Sequence, residues 1–146
     1  MRGKGNGRGA GRYLYGMTKA EHIAFWREEA DFDWAAARQL MTAGDYRHGL
    51  VPTLWTLEKL SNVHWVLAHP SGAMPPRTPV AARWQATPLQ PSAAQLATVA
   101  ELEARYESCL YPPRPDEPPT TLTPAVATQL FAEVSAVRSW LLQSLP

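Results

Sequence analysis

The stretch Gly44-Asp45-Tyr46-Arg47-His48-Gly49-Leu50 ends one helix and begins the next. Gly44 can take the left-handed backbone conformation that terminates a helix. Asp45 can then accept hydrogen bonds from the free N–H groups at the start of the following helix. Because so short a connection leaves no room for a crossover, the two helices should be antiparallel neighbours. The sequence therefore predicts a helical hairpin as the centre of the fold.

Apolar residues recur at three- and four-residue steps on both sides of this junction, which is typical of amphipathic helices. A capping box at Thr18-Lys19-Ala20-Glu21 predicts the start of the first helix. The second should run from about Tyr46 to about Leu67, with a kink at Pro52 unless the regular helix begins near Val51. The two stripes are Ile23, Trp26, Ala30, Trp34, Ala37 and Met41 in the first helix, and Leu50, Leu54, Leu57, Leu60 or Ser61, His64 and Leu67 in the second.

Three further helices are predicted after the hairpin. A short one starts at Thr78-Pro79, where the threonine is the expected cap, and runs through Trp84. A second capping box at Ser92-Ala93-Ala94-Gln95 opens a long helix, and Thr123-Pro124 caps the last one. No alternating run of β-branched residues predicts a strand. The predicted fold class is all-α: an up-and-down helical bundle of four long helices plus a short helix.

Composition divides the chain into a tail and one domain. Residues 1–16 hold six of the nine glycines with four basic and no acidic residues, which predicts a disordered Gly/Arg-rich tail. This tail either tethers RNA or is an extension without function, and the second interpretation is favoured. Residues 17–146 are expected to form the helical domain, in which five prolines among residues 112–119 predict a stiff loop.

Charge and residue usage exclude several classes of function. The tail carries +4 and the remainder −3, from ten Lys/Arg against thirteen Asp/Glu, so the folded part has no positive excess with which to hold a phosphate backbone. The single Cys109 excludes an internal disulfide. No apolar run approaches the ~18–20 residues of a membrane span, and no secretory signal opens the chain. A cytoplasmic location without membrane contact is the expectation.

Three pieces of this sequence, taken together in their order and spacing, carry a family resemblance. They are the Gly44–Leu50 turn, Leu57-Glu58-Lys59 in the second helix, and Pro75-Pro76-Arg77-Thr78; Asp33 in the first helix adds to them. The chain from about Met17 to Leu145 resembles the HEPN family, small helical proteins of prokaryotes that bind nucleotides or RNA. Many of them are paired with a minimal nucleotidyltransferase. The resemblance implies a helical bundle that usually forms a homodimer.

The catalytic motif of the active members of this family is absent. Their metal-independent RNases use an arginine followed, after four to six residues, by a histidine, and this pair can move a proton and stabilise charge on phosphorus. Here no arginine precedes any histidine at that separation; the histidines are His22, His48, His64 and His69. Leu110 also stands where the family has an arginine, and Pro79 where it often has a histidine. We therefore predict no catalytic residue, cofactor or metal.

The function predicted from the resemblance is that of a non-catalytic binding module. It would act as a homodimer with a nucleotidyltransferase partner, or bind nucleotide or RNA. Two alternatives stay open: an RNase toxin of a toxin–antitoxin pair with a different set of catalytic residues, and a purely structural interaction protein.

Five residues are candidates for ligand binding. Arg77 and Thr78 lie at the predicted start of the short helix, where a guanidinium and free N–H groups could together hold a phosphate. Glu58 and Lys59 could contact a nucleotide or a partner, although an ion pair between packed helices, for example of Asp33 with Lys59, is the favoured interpretation. His48 lies in the first turn of the second helix.

Two tryptophans are candidates for the homodimer interface. Trp55 and Trp65 lie off the leucine stripe of the second helix, and aromatic side chains are enriched in protein interfaces. The densest acidic cluster, by contrast, is predicted to be a solvated helix face rather than a metal site; it consists of Glu28, Glu29, Asp31 and Asp33.

Overall fold

The computed structural model describes residues 16–111, 115–116 and 122–146. The predicted tail, apart from Gly16, and most of the predicted proline-rich loop lie outside the described residues. The described residues form five α-helices: α1 (Lys19–Thr42), α2 (Tyr46–Ala68), α3 (Val80–Gln85), α4 (Ala93–Leu110) and α5 (Pro124–Gln143). The described residues contain no strand. The predicted all-α bundle of four long helices and a short one is confirmed.

The junction between α1 and α2 has the predicted geometry. Gly44 has a φ of +79°, in the left-handed region. Its N–H donates to the carbonyl of Met41, and the N–H of Asp45 donates to the carbonyl of Leu40, which is the pattern of a Schellman motif. At the other end of the pair, Lys19 Nζ donates to the carbonyl of Leu67 at 2.9 Å. Because opposite ends of the two helices meet, α1 and α2 are antiparallel.

Helix α2 lies at the centre of the molecule and contacts all four other helices. Its core leucines are fully enclosed, and so is Trp84, which the short helix α3 inserts into the bundle. The indole Nε1 of Trp84 donates to Ser61 Oγ at 2.7 Å, so the one polar atom of this buried ring has a partner. The core consists mainly of Ala30, Ala37, Leu50, Leu54, Leu57, Leu60, Val80, Trp84, Val99, Leu102, Leu130, Val134, Val137 and Leu141.

Proline does not interrupt α2, because the helix runs from Tyr46 through Pro52 to Ala68. The hydroxyls on either side bond to the carbonyls one turn back: Thr53 Oγ1 to Gly49 at 2.7 Å and Thr56 Oγ1 to Pro52 at 2.8 Å. These buried hydroxyls are satisfied inside the helix itself.

The start of α3 differs from the prediction. Pro79 rather than Thr78 occupies the N-cap position, and no side chain of α3's own segment caps the helix. Instead the N–H of Val80 donates to Glu103 Oε1 of α4 at 3.2 Å. A residue distant in sequence supplies the acceptor that the local pattern assigned to the threonine.

None of the helices in the described part of the chain has the length and apolar character that crossing a membrane requires.

Candidate functional site

Six charged side chains meet where α2 packs against α1, α3 and α4. We call them the charged cluster: Glu29, Asp33, Glu58, Lys59, Arg83 and Glu103. Four carboxylates against two cations give the cluster a formal excess of negative charge. The predicted candidates Glu58 and Lys59 both belong to it.

Lys59 joins α2 to α1 within this cluster. Its Nζ lies 2.5 Å from Asp33 Oδ2 and 3.3 Å from Glu29 Oε2. The side chains of Lys59 and Asp33 are only 21% and 10% exposed. The favoured interpretation of Lys59 as a partner of Asp33 is confirmed. Because both groups are largely withdrawn from water, each depends on the other for compensation of its charge.

Arg83 joins α2 to α3 and is 5% exposed. Its Nη1 donates to the Glu58 carbonyl at 3.0 Å and to Asn62 Oδ1 at 2.9 Å, and its Nη2 donates to the Thr78 carbonyl at 2.8 Å. Arg83 is not among the residues that the sequence predicted for a site. A signal was present, since Val80, Arg83 and Trp84 share one helical face by their spacing, and two of the three are core residues.

Burial raises the pKa of Glu58, and the neighbouring carboxylate of Glu103 adds to the increase, while Arg83 and Lys59 act against it. Burial also raises the pKa of Glu103, although the N–H of Val80 and the guanidinium of Arg83 favour its ionised form. Arg83 therefore favours the ionised form of both carboxyl groups, against the effect of their burial.

The start of α3, where the sequence predicts a phosphate site at Arg77 and Thr78, is partly engaged by contacts within the protein. The N–H of Val80 at the start of α3 already binds the carboxylate of Glu103, and the carbonyl of Thr78 binds Arg83. The Thr78 hydroxyl is buried without a hydrogen-bond partner in the described part of the chain. Arg77 itself is exposed. Of the predicted donors, the N–H of Val80 is therefore already occupied, and anion binding by Arg77 stays a prediction.

His48 takes part in the cap of α2. Its Nδ1 lies 2.8 Å from Asp45 Oδ1, and its side chain is largely exposed. The adjacent Arg47 points elsewhere, since its Nε and Nη2 both donate to the carbonyl of Cys109 at the end of α4. His48 and Arg47 are thus adjacent in sequence but engaged with different elements.

Trp65 is not available for the predicted homodimer interface. It is 9% exposed, and its ring stacks on that of His69 with 3.7 Å between the centroids. The physical reason is that α2 is enclosed on all sides from Leu60 to Val66. Its position off the leucine stripe therefore does not bring it to the surface.

Trp55, the other predicted interface residue, is 40% exposed. Its Nε1 donates to the hydroxyl of Tyr106 on α4 at 3.3 Å, and its ring lies 6.0 Å from Lys59 Nζ. Leu110, which is 45% exposed, follows Tyr106 by one helical turn on α4. We call these three side chains the aromatic face: Trp55, Tyr106 and Leu110.

The predicted acidic cluster of α1 divides between two helices. Glu29 and Asp33 bind Lys59 of α2, whereas Asp31 lies 3.7 Å from Arg138 of α5. Within residues 16–111, 115–116 and 122–146, no group of three or more His, Cys, Asp or Glu side chains is arranged to hold a metal ion.

Comparison with protein-family models, curated proteins and solved structures finds no match to this chain. The resemblance to the HEPN family stays a prediction.

Replacing Lys59 with Met should lower the free energy of unfolding by about 1–3 kcal/mol, because Asp33 then stays buried without its cation. Asp33→Asn in the same background should restore part of the loss, since an uncharged amide is easier to bury. Urea unfolding of the two single variants, the double variant and Arg27→Met, an exposed control on α1, measures the coupling. Additive losses would show that the two side chains act independently.

Proposed function

We propose that this chain is a non-catalytic, HEPN-like binding module that acts as a homodimer paired through the aromatic face. The observation that carries the proposal is the exposure of Trp55 on a face formed by α2 and α4. Large aromatic rings are enriched at the centres of protein interfaces and are expensive to leave in water.

The composition of this face suits a second copy of the same chain. In a twofold pairing each residue near the axis meets its own counterpart, so a charged centre would bring like charges together. Trp55, Tyr106 and Leu110 carry no charge, and Lys59 beside them is already compensated by Asp33 and Glu29. The charged cluster would then lie at the margin of the interface, the part that is usually polar and accessible to solvent.

The resemblance extends this proposal to a partner. A HEPN-like homodimer would act with a nucleotidyltransferase partner or bind nucleotide or RNA. Contacts of three histidines within the chain support a non-catalytic role: His48 with Asp45, His64 with the carbonyl of Leu141, and His69 with the carbonyl of Trp65. An RNase site would require at least one of them to face a substrate together with a cation.

Trp55→Arg should separate the homodimer into monomers. It would place two like charges across the twofold axis, and loss of a central tryptophan alone is expected to raise the dissociation constant roughly 30-fold or more. Sedimentation equilibrium over a range of concentrations measures this constant, and circular dichroism checks that the fold is kept.

The matched control is Leu96→Arg. Leu96 is 38% exposed, close to the value for Trp55, and lies on α4 about 15 Å along the helix from Tyr106. Its replacement should leave the association unchanged. A parent protein that stays monomeric at high concentration, or equal weakening by both substitutions, would contradict the proposed interface.

A further inference from the structure

A cavity of about 480 Å³ lies on the molecule between the end of α2, the segment that follows α3, and the end of α5. Its volume falls within the ~300–1,000 Å³ of small-molecule sites. Apolar side chains form most of its wall, and one polar ring, that of His64, takes part in it. The residues that line the cavity include His64, Leu67, Ala68, Leu89 and Trp140.

The His64 ring is held in one orientation by the fold. It is buried, and its Nε2 donates to the carbonyl of Leu141 at 2.8 Å. A carbonyl oxygen can only accept, so Nε2 carries the proton of this bond. Burial lowers the pKa of His64, although the bond to Leu141 acts in the other direction. The ring is therefore neutral at physiological pH, and its Nδ1 has a free lone pair.

That Nδ1 atom has no hydrogen-bond partner among the described residues. It differs from Nε2 of His22, which is also unpartnered but is sealed inside the protein. Because Nε2 is directed at the Leu141 carbonyl, Nδ1 is the ring nitrogen left for a donor in the cavity that His64 lines. An acceptor held rigidly in a largely apolar wall favours ligands that can donate a hydrogen bond to it. A ligand without a donor would leave the acceptor buried and unpaired, which costs free energy.

We propose that this cavity is a binding site for a small, flat aromatic molecule that carries one hydroxyl or N–H donor, with the donor directed at Nδ1 of His64. The Trp140 and Leu89 side chains supply apolar contact for the ring system. The cavity lies at the C-terminal half of α2, whereas the proposed homodimer interface contains Trp55 of the N-terminal half.

The test uses 2-naphthol and 2-methoxynaphthalene, which share a ring system but differ in the donor. Titration of the full chain, followed by amide and indole chemical shifts in NMR, should give shifts centred on Leu67, Ala68, Leu89 and Trp140. 2-Naphthol should bind roughly three- to ten-fold more tightly than its methyl ether, the usual size of one net hydrogen bond. Equal affinities, shifts centred elsewhere or no binding at millimolar 2-naphthol would overturn the proposal.

Two substitutions separate the cavity from its acceptor. Ala68 is exposed at the cavity wall, so Ala68→Trp should fill the space and weaken both probes at least ten-fold, while Ala97→Trp, an exposed control on α4, should not. His64→Gln keeps a donor for the Leu141 carbonyl, while the remaining acceptor, the amide oxygen, lies at a different position from Nδ1. It should abolish the preference for 2-naphthol and keep binding of the ether. Should His64→Gln fail to fold, unchanged binding by Ala68→Trp still suffices to reject the site.

Discussion

Leu57→Ala is expected to lower the free energy of unfolding by about 2–5 kcal/mol, the range for a leucine truncated in a well-packed core. Leu57 has no exposed surface and lies on α2, the helix that contacts all the others. Neighbouring side chains cannot collapse into the space without moving several helices. The cavity that remains should place the loss in the upper half of the range.

Urea unfolding followed by tryptophan fluorescence and by circular dichroism measures this change. Leu96→Ala is the matched control, because Leu96 is a leucine of α4 that is 38% exposed. It should change stability by less than about 0.5 kcal/mol, as surface substitutions usually do. Equal losses in the two variants would show that α2 is not the centre of the packing.

The helix ends could be predicted because they depend on a few consecutive residues. Thr18, Asp45, Ser92 and Thr123 each accept a hydrogen bond from a backbone N–H at the start of a helix, as the local pattern predicted. Thr78 is the exception. There Glu103 of another helix binds the free N–H group, and no short-range pattern contains that information.

The burial of polar residues could be predicted only in part: the pairing of Asp33 with Lys59 is the favoured interpretation of the sequence, whereas a periodic pattern treats His22 and Arg83 as exposed. His22 and Asp33 of α1 and Arg83 of α3 are all buried. Asp33 and Arg83 are there because a partner on another helix compensates them, Lys59 for the first and the Glu58 carbonyl among others for the second. Such partners are defined by tertiary packing rather than by spacing along one helix.

The exposure of the two tryptophans of α2 also depends on tertiary packing. Trp55 and Trp65 both lie off the leucine stripe, and the sequence gives no reason to distinguish them. Packing does, since α2 is enclosed from Leu60 to Val66 while its N-terminal half leaves Trp55 exposed. Which face of a helix stays free depends on how many neighbours surround it at that level.

Arg83→Met is expected to have an equally large effect, with a pH dependence that a core truncation lacks. At neutral pH the free energy of unfolding should fall by about 3–5 kcal/mol, since a buried charge network loses its cation. Burial already raises the pKa values of Glu58 and Glu103 above 4.5, and Arg83 opposes the increase in both. Without Arg83 the two pKa values should rise further.

The direction of the pH effect follows from proton binding. A carboxyl whose pKa is higher in the folded state than in the unfolded state holds its proton to higher pH when folded, so stability falls as pH rises above 4.5. The variant should lose more stability than the parent over this range. Its deficit should be largest at neutral pH and should shrink as the pH is lowered towards 4.5, where both carboxyls are becoming protonated in either state.

Urea unfolding of the parent protein and of Arg83→Met, at neutral pH and at a pH near 4.5, measures how much stability the variant loses at each pH. Arg105→Met is the matched control, because Arg105 forms an ion pair with Glu101 on the surface of α4 and its loss should change stability by less than about 1 kcal/mol. A deficit of the same size at both pH values would show that Arg83 acts only through its hydrogen bonds to Asn62 and the carbonyls. The contribution of Arg83 to the free energy of unfolding would then not depend on its charge. The proposed role of Arg83 in favouring the ionised forms of Glu58 and Glu103 would be wrong.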